Sequence, residues 1–276
     1  MVQKFTPQKI TGIFLTSIIL ATLFISNVVA KDFPKVTLGN FGLPGILDLP
    51  TAKRFSDGEL IATQQVHKSL ARSGITFQAL PRISFAFRYT GHGHGGREAY
   101  GRVNHDRSFD AHITLLDETK YLPAISIGLR DFIGTGWYSS EYIVGTKTIG
   151  NIELTTGFGF GRLAGRNTFS NPLKALSDRF EERDGNKFGR GGTLGTINWF
   201  QGHVSPFYGI NYHLSNKLHL SAEYMPDLMS RESSYMAIKN PWNIGASYQI
   251  NNYITLSAQY LHQNRFSLTA HAKVNP

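Results

Sequence analysis

The sequence predicts an all-β chain: a transmembrane, antiparallel, up-and-down β-barrel of about twelve strands, preceded by an amino-terminal signal peptide and a short irregular, plug-like segment. Three observations predict it. Apolar and polar residues alternate with a period of two in run after run. The connections between those runs alternate between tight and long. An export-type apolar segment opens the chain. Side chains on a strand point to opposite faces in turn. Trp242, Ile244, Ala246, Tyr248 and Ile250 therefore form one face, with Asn243, Gly245, Ser247 and Gln249 on the other. Leu218, Leu220, Ala222 and Tyr224 oppose Lys217, His219, Ser221 and Glu223 in the same way, and Ile254, Leu256, Ala258 and Tyr260 oppose Thr255, Ser257 and Gln259. A soluble sandwich shares this pattern; behind an export signal, a membrane barrel uses it with lipid outside and water inside.

Residues 1–30 read as the signal peptide. Lys4 and Lys9 make a basic start, Ile10 to Val29 is mostly apolar, and Val28-Val29-Ala30 supplies small residues for cleavage before Lys31. Past that point no run of eighteen apolar residues occurs, so no helix is expected to span a bilayer. The 276 residues hold no cysteine, which excludes disulfide and thiol chemistry. The formal charge of +9 becomes +7 without the two signal lysines. That balance suits anionic lipid head groups or an acidic polymer, and export argues against nucleic acid. Twenty-eight glycines and 12% aromatics fit a barrel wall.

Residues 31–57 form an irregular entry segment. Its plug-like part combines turn formers (Gly42, Pro44, Gly45, Pro50) with Phe41, Leu43, Ile46, Leu47, Leu49 and the lone acid Asp48. A loop this apolar is expected to be buried, and tucking into the barrel to narrow the lumen would bury it.

Residues 58–276 carry the strands, near 59–68, 74–80, 82–90, 108–117, 122–131, 139–147, 152–161, 204–214, 217–225, 242–250, 253–262 and 266–274. Tight links at Leu80-Pro81, 117–121, 148–150, Ser215-Asn216 and Asn251-Asn252 alternate with long ones at 91–107, 132–138, 162–203 and 225–241. Outer-membrane barrels have short periplasmic turns and long external loops in that order. Charges at Arg88, Asp110, Glu141, Lys147, Glu153, Glu223 and Lys273 read as lying off the apolar faces, since a basic residue at mid-membrane costs about 2–4 kcal/mol. Arg88, Asp110, His112, Arg130 and Glu141 are the candidate lumen-lining residues. Within 162–203, Asn171 as cap, Pro172 at the first position, the spacing of Leu173, Leu176 and Phe180, and Gly185 as stop predict one short helix.

Little in the chain points to reaction chemistry. His92 and His94, with His105, could meet a metal, but a glycine-rich loop fixes no ligand geometry. The glycine-rich runs at 157–162 and 188–195 lack the strand–loop–helix setting of a phosphate loop. No metal or other cofactor is expected. Ser108, Asp110 and His112 share one strand face, where triad geometry is seldom met, so they read as lumen lining and no catalytic residue is assigned. Arg130 and Asp131 are expected on opposite faces. Arg130 could grip a carboxylate or sulfate on a sugar; the plainer expectation is an ion pair with Glu141 on the next strand.

Several stretches resemble a known family. Phe41-Gly-Leu-Pro-Gly-Ile-Leu-Asp-Leu-Pro-Thr-Ala52 with Asp57-Gly58, then 106–116, 121–142 and 157–163, are similar to the YjbH/GfcD family of outer-membrane β-barrel proteins of exopolysaccharide and capsule export. The resemblance runs from about residue 39 to 276 and is carried most by 121–142. It implies a protein of a Gram-negative outer membrane that meets lipid and a polysaccharide and works with a small lipoprotein and periplasmic export proteins, as a passive conduit or an assembly element. It implies no catalytic residue. Family members are typically longer, and this chain ends Lys273-Val-Asn-Pro276 without a terminal aromatic, so a shortened version of the family protein is expected. An outer-membrane hydrolase of lipid or sugar, and a soluble periplasmic β-sandwich binding module, are the alternatives.

Overall fold

The computed structural model describes residues 36–68, 70–92, 104–183, 193–194, 198–229, 238 and 240–275. The segment read as a signal peptide, His94, and all of the 188–195 run except Thr193 and Leu194 lie outside the described residues.

Among the described residues, twelve strands make a wall: β1 (Leu60–His67), β2 (Leu70–Leu80), β3 (Ile83–His92), β4 (Asn104–Leu116), β5 (Ala124–Gly134), β6 (Ser140–Ile149), β7 (Ile152–Phe160), β9 (Val204–His213), β10 (Leu218–Tyr224), β11 (Trp242–Gln249), β12 (Ile254–Leu261) and β13 (Arg265–Val274). A two-residue strand, β8 (Thr193–Leu194), adds to β5 at Ile133–Gly134. Every wall strand runs antiparallel to its neighbours, and β1 pairs with β13 from Leu60↔Val274 to His67↔Ser267. That last ladder closes the sheet on itself. A closed ring leaves no unpaired edge, the condition under which strands can sit in hydrocarbon.

The polarity of this ring is inverted relative to a soluble protein. Ile75, Ile244, Leu268 and Phe266 are 54–81% exposed on the outside, whereas Ser84, Arg88, Asp110, His112, Asn211 and Asn243 are fully buried on the inside. A soluble sandwich would bury the first set and expose the second, so the sandwich alternative is excluded. Toward the long-loop end the outer surface carries an aromatic group. Tyr208 and Tyr224 stack at 5.0 Å, and the Trp242 ring stands edge-on to both. Such rings suit the membrane–water boundary, being apolar in body and polar at the tip.

All links at the Leu60/Val274 end are short; Pro81–Arg82 joins β2 to β3, and residues 150–151 join β6 to β7. The chain leaves β3, β7 and β10 for its long links at the opposite end, where β1, β5 and β12 also end before shorter ones. By the usual disposition of such barrels the short-turn end faces the periplasm.

Four sequence expectations are corrected. Strands β2 and β4 begin at Leu70 and Asn104 rather than 74 and 108, because their first residues project past the lipid. There outward Ser73, His105 and Arg107 break the apolar alternation. On β6, Tyr142, Val144 and Thr146 point inward, so Glu141 and Lys147 lie on the outer face and Glu141 does not line the lumen. Both charges sit near strand ends and are neutralised, Glu141 by Arg183 and Lys147 by Glu118. Arg130 and Asp131 do not point to opposite faces. The register skips between Phe109↔Ile133 and Ala111↔Leu129, Asp131 takes a positive φ of 51°, and both side chains turn inward at the bulge. Finally, the loop helix is replaced by two 3-10 turns, Pro172–Ala175 and Asp178–Phe180. Asn171 does cap the first, its Oδ1 accepting from Leu173 N at 3.0 Å.

Spin labels placed at Leu220, Ile244 and Leu256 should be quenched by lipid-soluble oxygen, and labels at Ser221 and Asn243 should not. Leu256→Arg should cost about 2–4 kcal/mol in a urea refolding titration into lipid, while the same change near the rim at Val274 should cost less than half of that.

Candidate functional site

Residues 36–55 lie inside the ring, and their apolar side chains account for the buried core there. Ile46, Leu47, Leu49 and Ala52 cluster with wall residues Ala124, Tyr142, Val144, Phe207 and Leu261 and with the loop residues Leu163 and Met225. Two inward glycines make the room. A Cβ on Gly209 would stand 2.6 Å from Ile46 Cδ1, and one on Gly245 would stand 2.8 Å from Leu47 Cδ2. The turns of this inner segment are set by its own sequence. Leu38 bridges to Pro44 and Gly45 to Pro50, and Pro44 O accepts from Thr51 N at 3.0 Å. Gly42 takes a φ of +79° that favours glycine, and a Cβ at Gly45 would meet backbone at 2.8 and 2.9 Å.

An irregular segment satisfies only part of its own backbone, so the polar wall takes up the rest. The Glu223 carboxylate, on β10, accepts from Leu47 N (3.0 Å), Asp48 N (2.9 Å), Leu49 N (2.9 Å) and Asn243 Nδ2 (2.8 Å). Asn40 exchanges two 2.8 Å bonds with Gln259 on β12 and accepts from Thr269 on β13. Thr146 on β6 accepts from Ala52 N, while Ser126 on β5 donates to Ala52 O. His112 on β4 lies 3.0 Å from Lys53 O and 2.9 Å from the Tyr142 hydroxyl. Asn211 on β9 donates to Thr37 Oγ1 at 3.1 Å. Seven wall strands thus hold one segment.

The long-loop half of the lumen is ionic and aromatic. Phe41 is ringed by three guanidinium groups, with Cζ of Arg130, Arg72 and Arg88 at 4.0, 4.1 and 4.5 Å from its ring centroid. The Tyr138 ring meets it edge-on at 5.9 Å. Arg88 and Asp110 form a two-pronged ion pair (2.7 and 2.8 Å) with no solvent exposure. Asp110 also accepts from Asp131 N, and Asp131 accepts from Tyr138 N. Arg130 donates to Asp48 O at 2.7 Å, not to Glu141. The Arg130–Glu141 ion pair expected from sequence is absent because the two side chains lie on opposite faces of the wall. Above Phe41, Arg162 binds Asp227 at 2.6 Å and donates to Trp137 O, tying three loops across the mouth.

Of the other sequence candidates, Ser108, Asp110 and His112 do share the inward face of β4. Their oxygens and nitrogens do not form a relay, since Asp110 is committed to Arg88 and Asp131, and His112 to Tyr142 and Lys53. His92 stacks near Trp137 and Tyr138, away from outward His105; no group of three metal-ligating side chains occurs among the described residues. Glu223, Arg72, Asn40 and Tyr138 were missed as site residues. A carboxylate on the polar face of β10 opposite Gly209, with no Lys or Arg on either neighbouring strand, was the available signal for Glu223.

Two spaces remain. A cavity of about 350 Å³ opens at the short-turn end among Lys53, Arg54, Phe55, Glu59, Glu118 and Lys273; one of about 20 Å³ lies at the other end beside Phe41, Arg72, Tyr138 and His262. Where the inner segment leaves, Lys53 pairs with Glu118, and Arg54 with Asp117 at 2.8 Å. Burial alone would raise the Glu118 carboxyl, but hydrogen bonds from Lys53 Nζ and Thr148 N and the Lys53 charge hold it below the ordinary glutamate value.

The chain matches the family model YjbH, described as "Exopolysaccharide biosynthesis protein YbjH", over residues 37–276. It is 28% identical over 243 residues to the "Uncharacterized lipoprotein YjbH" of Escherichia coli strain K12, covering 86% of this chain and 35% of that protein. The chain thus spans about a third of the length of this curated relative. Among solved structures it is similar to the KdgM porin in complex with disordered oligogalacturonate (TM-score 0.40, 8% identity, 78% of this chain and 97% of that one). It is likewise similar to an outer-membrane channel from Pseudomonas putida F1 (TM-score 0.40, 7% identity, 90% and 100%).

Glu223→Ala should leave three backbone N–H groups buried without an acceptor, each costing about 1–3 kcal/mol. A cysteine at Leu47, unreactive to a water-soluble maleimide in the parent, should become reactive in that variant while the heat-shifted gel mobility of the barrel persists. A carboxylate depressed in the fold contributes stability that is fully present above its unfolded value and is lost as pH falls through its folded value. Glu118→Gln should therefore lower urea stability at pH 7 by about 0.2–1 kcal/mol, and the difference from wild type should shrink progressively as pH falls below the ordinary glutamate value.

Proposed function

Because this chain belongs to the YjbH family of exopolysaccharide biosynthesis proteins, we propose that it is an outer-membrane barrel of exopolysaccharide secretion, closed at rest by residues 36–55. In this reading the barrel is an assembly element that admits polymer only when that segment is displaced. The observation that carries it is the hold of Glu223 on three consecutive backbone N–H groups of the segment. Exchanging a filled, bonded lumen for an open one would strand those donors along with Asn40, Ala52 and the Asp48 carbonyl. An open passive conduit would have no use for such bonds, whereas a barrel that must not leak between rounds of secretion needs them.

The partners follow as part of the same proposal: outer-membrane lipid on the apolar face, a polysaccharide at the lumen, and a small lipoprotein with periplasmic export proteins at the short-turn end. The cavity at that end, rimmed by Lys53, Arg54 and Lys273, is where the inner segment leaves the barrel and where a partner would reach it. No residue is given a catalytic part, since Asp110 is committed to Arg88 and Asp131, and His112 to Tyr142 and Lys53.

In planar bilayers the purified barrel should show little or no steady conductance, and deletion of 39–52 should open a stable, ion-conducting state. A large open conductance in the undeleted protein would overturn the closed-at-rest reading; loss of the barrel should also abolish polymer at the cell surface without abolishing its synthesis.

A further inference from the structure

Three guanidinium groups surround Phe41, and two carboxylates, Asp48 and Asp110, lie within 4.0 Å of them, with Asp106 and Asp131 farther off. Arg88 has Asp110. Arg72 lies 4.0 Å from Asp48 and donates to Gln65. Arg130, only 5% exposed, donates to a carbonyl and faces two aromatic rings. Each keeps one buried donor with no protein partner: Arg72 Nε, Arg88 Nη1 and Arg130 Nε. Burying cations with spare donors is unfavourable unless something else answers them.

Their placement is ordered. Arg72 lies two residues from the long-loop end of β2, while Arg88 and Arg130 lie four residues from that end of β3 and β5. Arg162 stands above them in the mouth, its Cζ 4.5 Å from the Tyr138 ring. A strip of forked cations beside aromatic rings matches a sugar that bears a carboxylate. Guanidinium groups grip the oxyanion in a planar fork, and a ring covers the apolar face of the pyranose.

We propose that Arg72, Arg88 and Arg130, with Tyr138, form a binding strip for acidic sugars inside the lumen, which Phe41 and Asp48 occupy as built-in stand-ins. Phe41 takes the place of the sugar ring and Asp48 that of its carboxylate. The inner segment is then a competitive inhibitor carried in the same chain, and an arriving acidic polymer displaces it by offering the arginines better partners. Only the identification of the ligand as a secreted polysaccharide rests on the function proposed above; the strip itself rests on the lumen geometry.

The test uses the full chain in detergent and in bilayers, with hexagalacturonate as acidic probe and maltohexaose as neutral probe. Phe41→Ala/Asp48→Asn should bind hexagalacturonate at least tenfold more tightly than wild type, and adding Arg72→Gln/Arg130→Gln should remove at least tenfold of that. Maltohexaose should bind none of them measurably. Equal binding of the two probes, undiminished binding after loss of both arginines, or identical binding by wild type and the Phe41/Asp48 variant would each overturn the proposal. Should that variant lose its heat-shifted mobility, Glu223→Gln, which loosens the segment from β10, takes its place with the same expectations. Acidic-probe binding with unchanged surface polymer in a knockout would sink the secretion reading and leave the strip standing.

Discussion

Lipid on the outside dictates the rest of this molecule. A wall that presents Ile75, Ile244 and Phe266 to acyl chains must turn Arg88, Asp110, Asn211 and Glu223 inward, because strand geometry leaves only two faces. Twelve strands enclose more width than inward side chains alone can fill. The polar inner face therefore faces either water or a second layer of protein, and here residues 36–55 are that layer.

The layer is held by two different kinds of contact. Aliphatic side chains fit over Gly209 and Gly245, and hydrophobic burial contributes about 1.5–3 kcal/mol per large side chain. On the same inner face Glu223, Thr146 and Ser126 take up backbone groups of the segment that would otherwise be stranded. In the long-loop half, the contacts are charge against ring and charge against charge. Cation–ring contacts contribute about 0.5–2 kcal/mol each, most when desolvated, but a fully buried pair such as Arg88–Asp110 recovers little beyond its own desolvation. The apolar contacts thus supply the net stability, and the ionic contacts supply specificity at a position where an incoming anion could compete.

Much of the wall was legible because lipid imposes a strict period-two rule. Strands β10 to β13 read directly from the alternation around Leu220, Ile244, Leu256 and Leu268. The rule weakened where the solvent changes: outward His105 and Arg107 lie on a strand that has left the membrane, and β6 was read on the wrong face because Glu141 looks like a lumen residue. Its outward position became affordable only when Arg183, forty-two residues on, reached back to it. The bulge at Asp131 likewise defeated a parity count, since three residues of β5 stand opposite Asp110 alone and both Arg130 and its neighbour turn inward.

Local chemistry was enough to determine the strands, their tight and long connections, the turn-rich apolar segment at 39–52 and the capping Asn171, because periodicity, glycine, proline and side-chain length act within a few residues. The ring of arginines around Phe41, the seat of residues 47–49 on Glu223, and the committed state of Asp110 and His112 were decided only by the closed barrel. Those groups come from strands dozens to nearly two hundred residues apart, and which of them meet depends on register and closure, quantities that no window of sequence contains.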